Sequence, residues 1–187
     1  MGSDISYDSS DGYFHAKAAK LHGVHYTFPK NTHTGTETLL LASVLADGQT
    51  ILDNAAEEIE IDDLIAFLNS MGAKIKRTSP RTIVIDGVTA LHGTEYAIMP
   101  DRNEEVTFAI ASAVTHGSII AHNSKPEYLK TFHEAFRSAG GYVEVMGNDA
   151  TKYSVKDAIR PLDITTAPYP GFMTDWQGPW AVLMTQA

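Results

Sequence analysis

No cysteine occurs in the 187 residues, which excludes disulfide staples, thiolate-ligated zinc and thiol nucleophiles from this chain and leaves its redox compartment unmarked. Clustered basic residues are missing too: 14 Lys and Arg face 23 Asp and Glu, for a formal net charge of -9. Binding to phosphate backbones or anionic membranes rests on gathered cations, so this balance argues against nucleic acid and membrane as partners. No apolar run approaches the length of a membrane span and no charged-then-apolar leader opens the chain, so the expected compartment is the cytoplasm. None of the eight histidines has a metal-ligand spacing such as H-E-x-x-H, and neither a metal nor a cofactor is expected. What is present, 43% hydrophobic and 20% charged residues, suffices for a core in one domain or two small ones.

The strongest internal signal is a repeat. His22-Gly23 recurs as His92-Gly93, Gly48 as Gly117 and Asn54 as Asn123. After each His-Gly comes an extended segment (to Phe28; to Met99), a helix (around Leu39–Ala46; around Phe108–Thr115), a Gly turn, a strand (Gln49–Asn54; Ser118–Asn123) and a second helix. Each unit closes on two strands, Ala73–Thr78 with Thr82–Val88 and Tyr142–Met146 with Lys152–Val155. The order is β-α-β-α-β-β over about 70 residues, and duplication accounts for it.

Punctuation supports the elements. Thr34 and Glu37 have capping-box spacing before the apolar run Leu39–Leu45, so apolar that the helix is expected to be buried. Ile61, Leu64, Ile65, Leu68 and Met71 recur at helical spacing, with Gly72 placed to end that helix. Ser124-Lys125-Pro126-Glu127 reads as the cap of a helix carrying Leu129, Phe132 and Phe136, with Gly140 beyond its end. By domain, residues 1–11 read as a tag or disordered start outside the fold, and 12–21 as the trailing strand of a preceding unit without an upstream partner. Residues 22–99 form the first full unit, 100–160 the second after a crossing, and 161–187 the start of a third that stops inside its first helix. The orphan strand and unfinished helix leave faces for self-association.

Near the end, Pro168-Tyr169-Pro170-Gly171-Phe172 reads as a rigid loop, and Thr174 with Gln177 has capping-box spacing, which sets Asp175 in the first turn of a helix. A carboxylate there either favours the helix dipole or meets an approaching ligand.

In combination, Leu52-Asp53-Asn54-Ala55-Ala56, Met71-Gly72-Ala73-Lys74-Ile75, Leu91-His92-Gly93-Thr94-Glu95-Tyr96, Pro100-Asp101-Arg102 and Thr166-Ala167-Pro168-Tyr169-Pro170-Gly171-Phe172 with Thr174-Asp175 resemble the bacterial UDP-N-acetylglucosamine enolpyruvyl (1-carboxyvinyl) transferases. The resemblance runs from about Gly12 to the end. It implies an α/β (α+β) fold, the inverse α/β barrel built from such repeats, here an incomplete internal fragment. It also implies transfer of enolpyruvyl from phosphoenolpyruvate to the 3-hydroxyl of UDP-N-acetylglucosamine, with release of phosphate, at the first committed step of peptidoglycan synthesis.

Position by position, the resemblance makes Asp175 the aspartate that contacts the acceptor hydroxyl and takes its proton, a role the rigid loop permits. Lys30, Asn31, Thr32, His33 and Thr34 match the segment along the uridine diphosphate, with His33 and Thr34 departing from the usual residues; taken alone, they read as a loop and helix cap. Glu58 and Glu60 match acids shaping the cleft, or are solvated acids at a helix start. Asp101 and Arg102 match the crossing between domains, where Arg102 would meet a phosphate or carboxylate or form an ordinary salt bridge. Met173 and Trp176 depart from the usual residues beside Asp175. The family's phosphoenolpyruvate-binding groups and mobile loop match nothing in this chain, so the isolated polypeptide is expected to be inactive. Two alternatives are a fragment like 5-enolpyruvylshikimate-3-phosphate synthase, which the Pro-Tyr-Pro-Gly-Phe stretch fits poorly, and a non-catalytic repeat module acting through exposed edges.

Overall fold

Asn54 and Asn123, which follow matching strands of the two repeats, both take the left-handed backbone, with φ of 54° and 58°. Asparagine tolerates that region better than other residues with a Cβ, so the letters recur because the same turn recurs. The computed structural model describes residues 1–187, which divide into two units, Met1–Ile98 and Met99–Ala187.

In the first unit β1 (Asp4–Asp8) and β2 (Tyr13–Lys17) form an antiparallel hairpin. This corrects the expectation that residues 1–11 lie outside the fold and leave the next strand unpaired. The polar stretch is itself the turn: Asp8 accepts the Ser10 N–H on Oδ1 at 2.8 Å and the Gly12 N–H on its carbonyl at 2.9 Å, as Asx turns do. A four-stranded sheet follows in the order β3 (His25–Thr27), β4 (Gln49–Asp53), β6 (Thr82–Asp86), β5 (Lys74–Ser79); β3 runs parallel to β4 and the other pairs are antiparallel. Alternation sends Leu52, Ile83 and Ile85 inward, against Leu40 and Val44 around the end of α1 (His33–Ser43) and Ile61 of α2 (Ile59–Ser70). Each such side chain, fully buried, contributes about 1.5–3 kcal/mol of transfer free energy. The run Leu39–Leu45 is not buried all round: Leu41 and Leu45 are 54% and 56% exposed, because one stripe of a helix suffices to cover this sheet.

In the second unit α3 (Arg102–Val114) and α4 (Lys130–Ser138) pack on a fully antiparallel sheet in the order β7 (Ser118–His122), β9 (Ala150–Val155), β8 (Gly141–Met146). The order reproduces β4, β6, β5 of the first unit, with the last strand of each repeat in the middle. The opening strand is not reproduced. Residues 87–101 contain no strand and Ile98 is 81% exposed, so the second repeat is α-β-α-β-β. Residues 161–187 end in a single 3-10 turn, Thr174–Trp176, and α5 (Gln177–Met184). Phe172, Trp176 and Leu183 join Phe132, Phe136 and Tyr153 in one core.

Candidate functional site

The segment leading into α1 is built around Thr32. Its Oγ1 accepts the Gly35 N–H at 3.2 Å, and its carbonyl accepts the Thr36 N–H at 3.1 Å and the Thr36 hydroxyl at 2.7 Å. Thr32, with φ of -149° and ψ of 121°, is therefore the N-cap in place of Thr34, since a cap needs an extended backbone and Thr34 already lies inside the helix. Lys30, Thr32 and Thr34 line one groove of about 570 Å³ together with Tyr26, Phe28 and Leu39. Asn31 instead donates from Nδ2 to the Ala55 carbonyl at 3.2 Å, and His33 Nε2 lies 3.8 Å from Glu37, too far for a hydrogen bond. Cation and hydroxyls thus share the groove with two aromatic rings, Tyr26 and Phe28, set edge to face at 5.1 Å. The first turn of α1 carries no acid, whereas α2 has Glu60 and Asp62 there and α3 has Glu104 and Glu105. α4 and α5 also lack a first-turn acid, so what sets the start of α1 apart is the groove that joins it to Lys30 and the two rings.

Glu58 stands at the N-cap of α2 without a capping bond, 8% exposed, and its Oε2 has no hydrogen-bond partner. Glu60 lies half-buried in the first turn of α2.

In the second unit the loop before Asp175 closes on itself: Ala167 N–H donates to the Phe172 carbonyl at 2.9 Å and Gly171 N–H to the Pro168 carbonyl at 2.8 Å. Thr131 Oγ1 on α4 donates to the Pro170 carbonyl at 2.6 Å. Phe172 and Trp176 are 4% and 1% exposed and flank the exposed Asp175. Met173, and not Thr174, holds the N-cap position, so the capping box of Thr174 and Gln177 does not form and Asp175 lies in the 3-10 turn ahead of α5.

Asp101 caps α3, accepting the Asn103 N–H on Oδ1 at 2.7 Å. Arg102 is 3% exposed; its guanidinium lies 4.8 Å from the Tyr169 ring centroid and 5.9 Å from that of Trp176, and Nη1 donates to the Tyr128 carbonyl at 3.4 Å. Asn103 Oδ1 accepts the Trp176 indole N–H at 2.8 Å. Within the second unit, then, Asp101, Arg102 and the Asp175 turn meet at the start of α3. Within the first, Lys30, Thr32 and Thr34 meet at the start of α1.

Sequence reasoning missed a buried polar chain in the second unit. Glu105 Oε1 accepts from Tyr153 OH and from Ser124 Oγ, both at 2.6 Å; Ser124 also meets Thr151 Oγ1 at 2.7 Å, and His133 Nε2 meets Tyr153 OH at 2.7 Å. Ser124 is thus not a helix cap: it is 1% exposed and points into the core, while Lys125 precedes the 3-10 turn Pro126–Tyr128. Burial pushes His133 down to about 4, with Arg137 adding to the effect, and burial with Glu105 beside it pushes Tyr153 up. No periodicity marks this network, because its members lie on α3, α4, β9 and the loop after β7. Asp8, Asp11 and His15 on the hairpin hold ligand-type atoms within 4.8 Å of one another, all exposed.

A protein-family model for EPSP synthase (3-phosphoshikimate 1-carboxyvinyltransferase) matches residues 1–187. Among curated relatives, the UDP-N-acetylglucosamine 1-carboxyvinyltransferase of Magnetococcus marinus is 46% identical over 187 residues, all of this chain and 44% of the relative. The enzyme of that name from Acidobacterium capsulatum is 42% identical over all of this chain and 42% of its own length. The chain therefore spans under half the length of these relatives. Among solved structures, the enolpyruvyl transferase NikO from Streptomyces tendae superposes with a TM-score of 0.83 at 21% identity, over 100% of this chain and 47% of that one. EPSP synthase from Acinetobacter baumannii gives 0.55 at 19% identity, over 99% and 42%. These likenesses bear out the expected α/β fold. No helix is long and apolar enough to cross a membrane.

Proposed function

The chain belongs to the EPSP synthase (3-phosphoshikimate 1-carboxyvinyltransferase) family, a family of enolpyruvyl transferases, and on that premise we propose that it forms the acceptor side of an enzyme that transfers enolpyruvyl from phosphoenolpyruvate to UDP-N-acetylglucosamine. The observation that carries the choice of acceptor is the groove at the start of α1. Lys30 and the Thr32 and Thr34 hydroxyls stand at a helix end without a first-turn acid, beside Tyr26 and Phe28. A diphosphate needs the first set and a flat base and sugar need the second. The names carried by the curated relatives support the same acceptor.

In the overall reaction the 3-hydroxyl oxygen replaces phosphate on the enolpyruvyl carbon, and the hydroxyl proton must go to a base. Asp175 serves as that base: its carboxylate is exposed on a turn anchored by Phe172 and Trp176, so it is presented to a substrate without being free to wander. Arg102 packs under the loop as its support, Asp101 fixes the start of α3, and Glu58 and Glu60 shape the wall at the start of α2. The product feeds peptidoglycan synthesis in the cytoplasm.

Saturation-transfer NMR of the chain with UDP-N-acetylglucosamine and, separately, 3-phosphoshikimate tests the acceptor. The expected result is binding of the sugar nucleotide alone, weakened about tenfold by Lys30→Ala through loss of a charge-assisted phosphate contact. Binding of 3-phosphoshikimate alone would transfer the reading to the other acceptor.

A further inference from the structure

The Asp175 carboxylate takes no hydrogen bond from the rest of the chain, so its aim is set by the backbone of its turn. That turn is closed by two bonds, from Trp176 N–H to the Met173 carbonyl at 3.2 Å and from Gln177 N–H to the Thr174 carbonyl. The residue that ties it to the rest of the unit is Trp176. Its ring makes edge contacts with Phe132 and Phe172, centroids at 5.9 Å and 5.2 Å. Apolar contacts of this kind fix how deep a ring sits but discriminate weakly between rotations in its slot. A hydrogen bond is directional, and the one from Nε1 to Asn103 Oδ1 at 2.8 Å removes that freedom.

Asn103 is itself held at three points. Its N–H donates to Asp101 Oδ1 at 2.7 Å, its carbonyl accepts the Thr107 hydroxyl at 2.9 Å, and its backbone belongs to α3. Trp176 is 1% exposed, so water cannot stand in for Asn103 as acceptor, and an unpaired buried donor is costly. We propose that Asn103 is a positioning residue for the Asp175 carboxylate, acting through the Trp176 indole. This rests on the reading of Asp175 as the acceptor-side base. A base must come within about 2.6–3.2 Å of the hydroxyl it deprotonates, so a small rotation of the turn decides whether it reaches.

The test uses the ¹⁵N-labelled chain and three variants. Asn103→Leu deletes the acceptor, Trp176→Phe deletes the donor while keeping a ring in the core, and Asn103→Asp restores an acceptor oxygen. The expected result is that Asn103→Leu raises hydrogen exchange at the Trp176 indole and at the Gln177 amide, whose bond to the Thr174 carbonyl closes the turn that carries Asp175, by about tenfold or more. The indole of Trp180, buried without a partner, serves as the internal control and stays unchanged. Trp176→Phe has the same effect at Gln177, the double variant adds nothing further, and Asn103→Asp returns Gln177 to its original protection. An unchanged Gln177 amide in Asn103→Leu would overturn the proposal. So would equal loosening at Trp180, which marks a general structural role, or additive effects of the two deletions. None of these readouts depends on the sugar nucleotide, so a failure here is distinct from a failure to bind it.

Discussion

His133 is 4% exposed and meets Tyr153 OH at 2.7 Å. Because Tyr153 donates its own proton to Glu105, the phenol oxygen is left to accept from His133 Nε2–H, and the imidazole is stored neutral. Burial lowers the folded group from 6.5 to about 4. The unfolded chain therefore takes up a proton first as pH falls, so this residue's contribution is intact above about 6.5, is lost progressively on acidification, and levels off below about 4. The full difference is about 3 kcal/mol. His133→Gln should flatten the stability profile of the second unit between these limits, measured by denaturant unfolding followed through Trp176 and Trp180. Profiles of equal slope in both proteins would contradict the assignment. At this scale the sequence announced some residues and hid others. Lys30 and Asp175 stand in stretches whose residues announce a loop running into a helix, so that much could be read from neighbours in the chain, although the caps themselves fall earlier than expected, at Thr32 and Met173. Asn103 and Trp176 lie 73 residues apart, and no local pattern pairs them.

Both second helices of the repeats end on a glycine with positive φ, 96° at Gly72 and 103° at Gly140. The two sites differ in what a side chain would meet. A Cβ on Gly72 would approach the His92 ring edge at 3.2 Å, which a side chain can yield, whereas on Gly140 it would approach the Ala158 carbonyl oxygen at 2.8 Å, which is backbone. Gly72→Ala should therefore cost about 1–2 kcal/mol from the backbone conformation alone, and Gly140→Ala measurably more. Thermal melts of the two variants decide it, and equal losses would show that the Ala158 contact relaxes freely. Helix ends of this kind were legible because glycine after an apolar stripe has one common cause. Helix starts were not. Thr32 and Thr34 are equally good caps by residue type, and only the extended backbone at Thr32 separates them. Ser124 carries the same ambiguity, resolved here by burial beside Glu105 and Thr151. The absent opening strand of the second repeat was illegible for a related reason: an extended segment becomes a strand only when a partner edge is available.

For the molecule as a whole, a sheet and two helices were written twice, and each copy closes its own hydrophobic core. Strand order was predictable from the repeat once one copy was read, because antiparallel closure places the last strand in the middle of both. Of the hairpin at the start, β2 lies within the expected strand at 12–21, whereas its partner β1 was not expected, because a polar stretch with every residue exposed leaves no burial pattern to read. In the proposed function the molecule meets its acceptor at the groove at the start of α1, where Lys30 and two aromatic rings stand beside a helix end without a first-turn acid. The most direct measurement is an amide shift map of the ¹⁵N-labelled chain titrated with UDP-N-acetylglucosamine. The account predicts shifts concentrated at Tyr26, Lys30, Thr32, Thr34 and Gly35 that shrink in Lys30→Ala; shifts confined to other surfaces, or a pattern indifferent to Lys30, would contradict it.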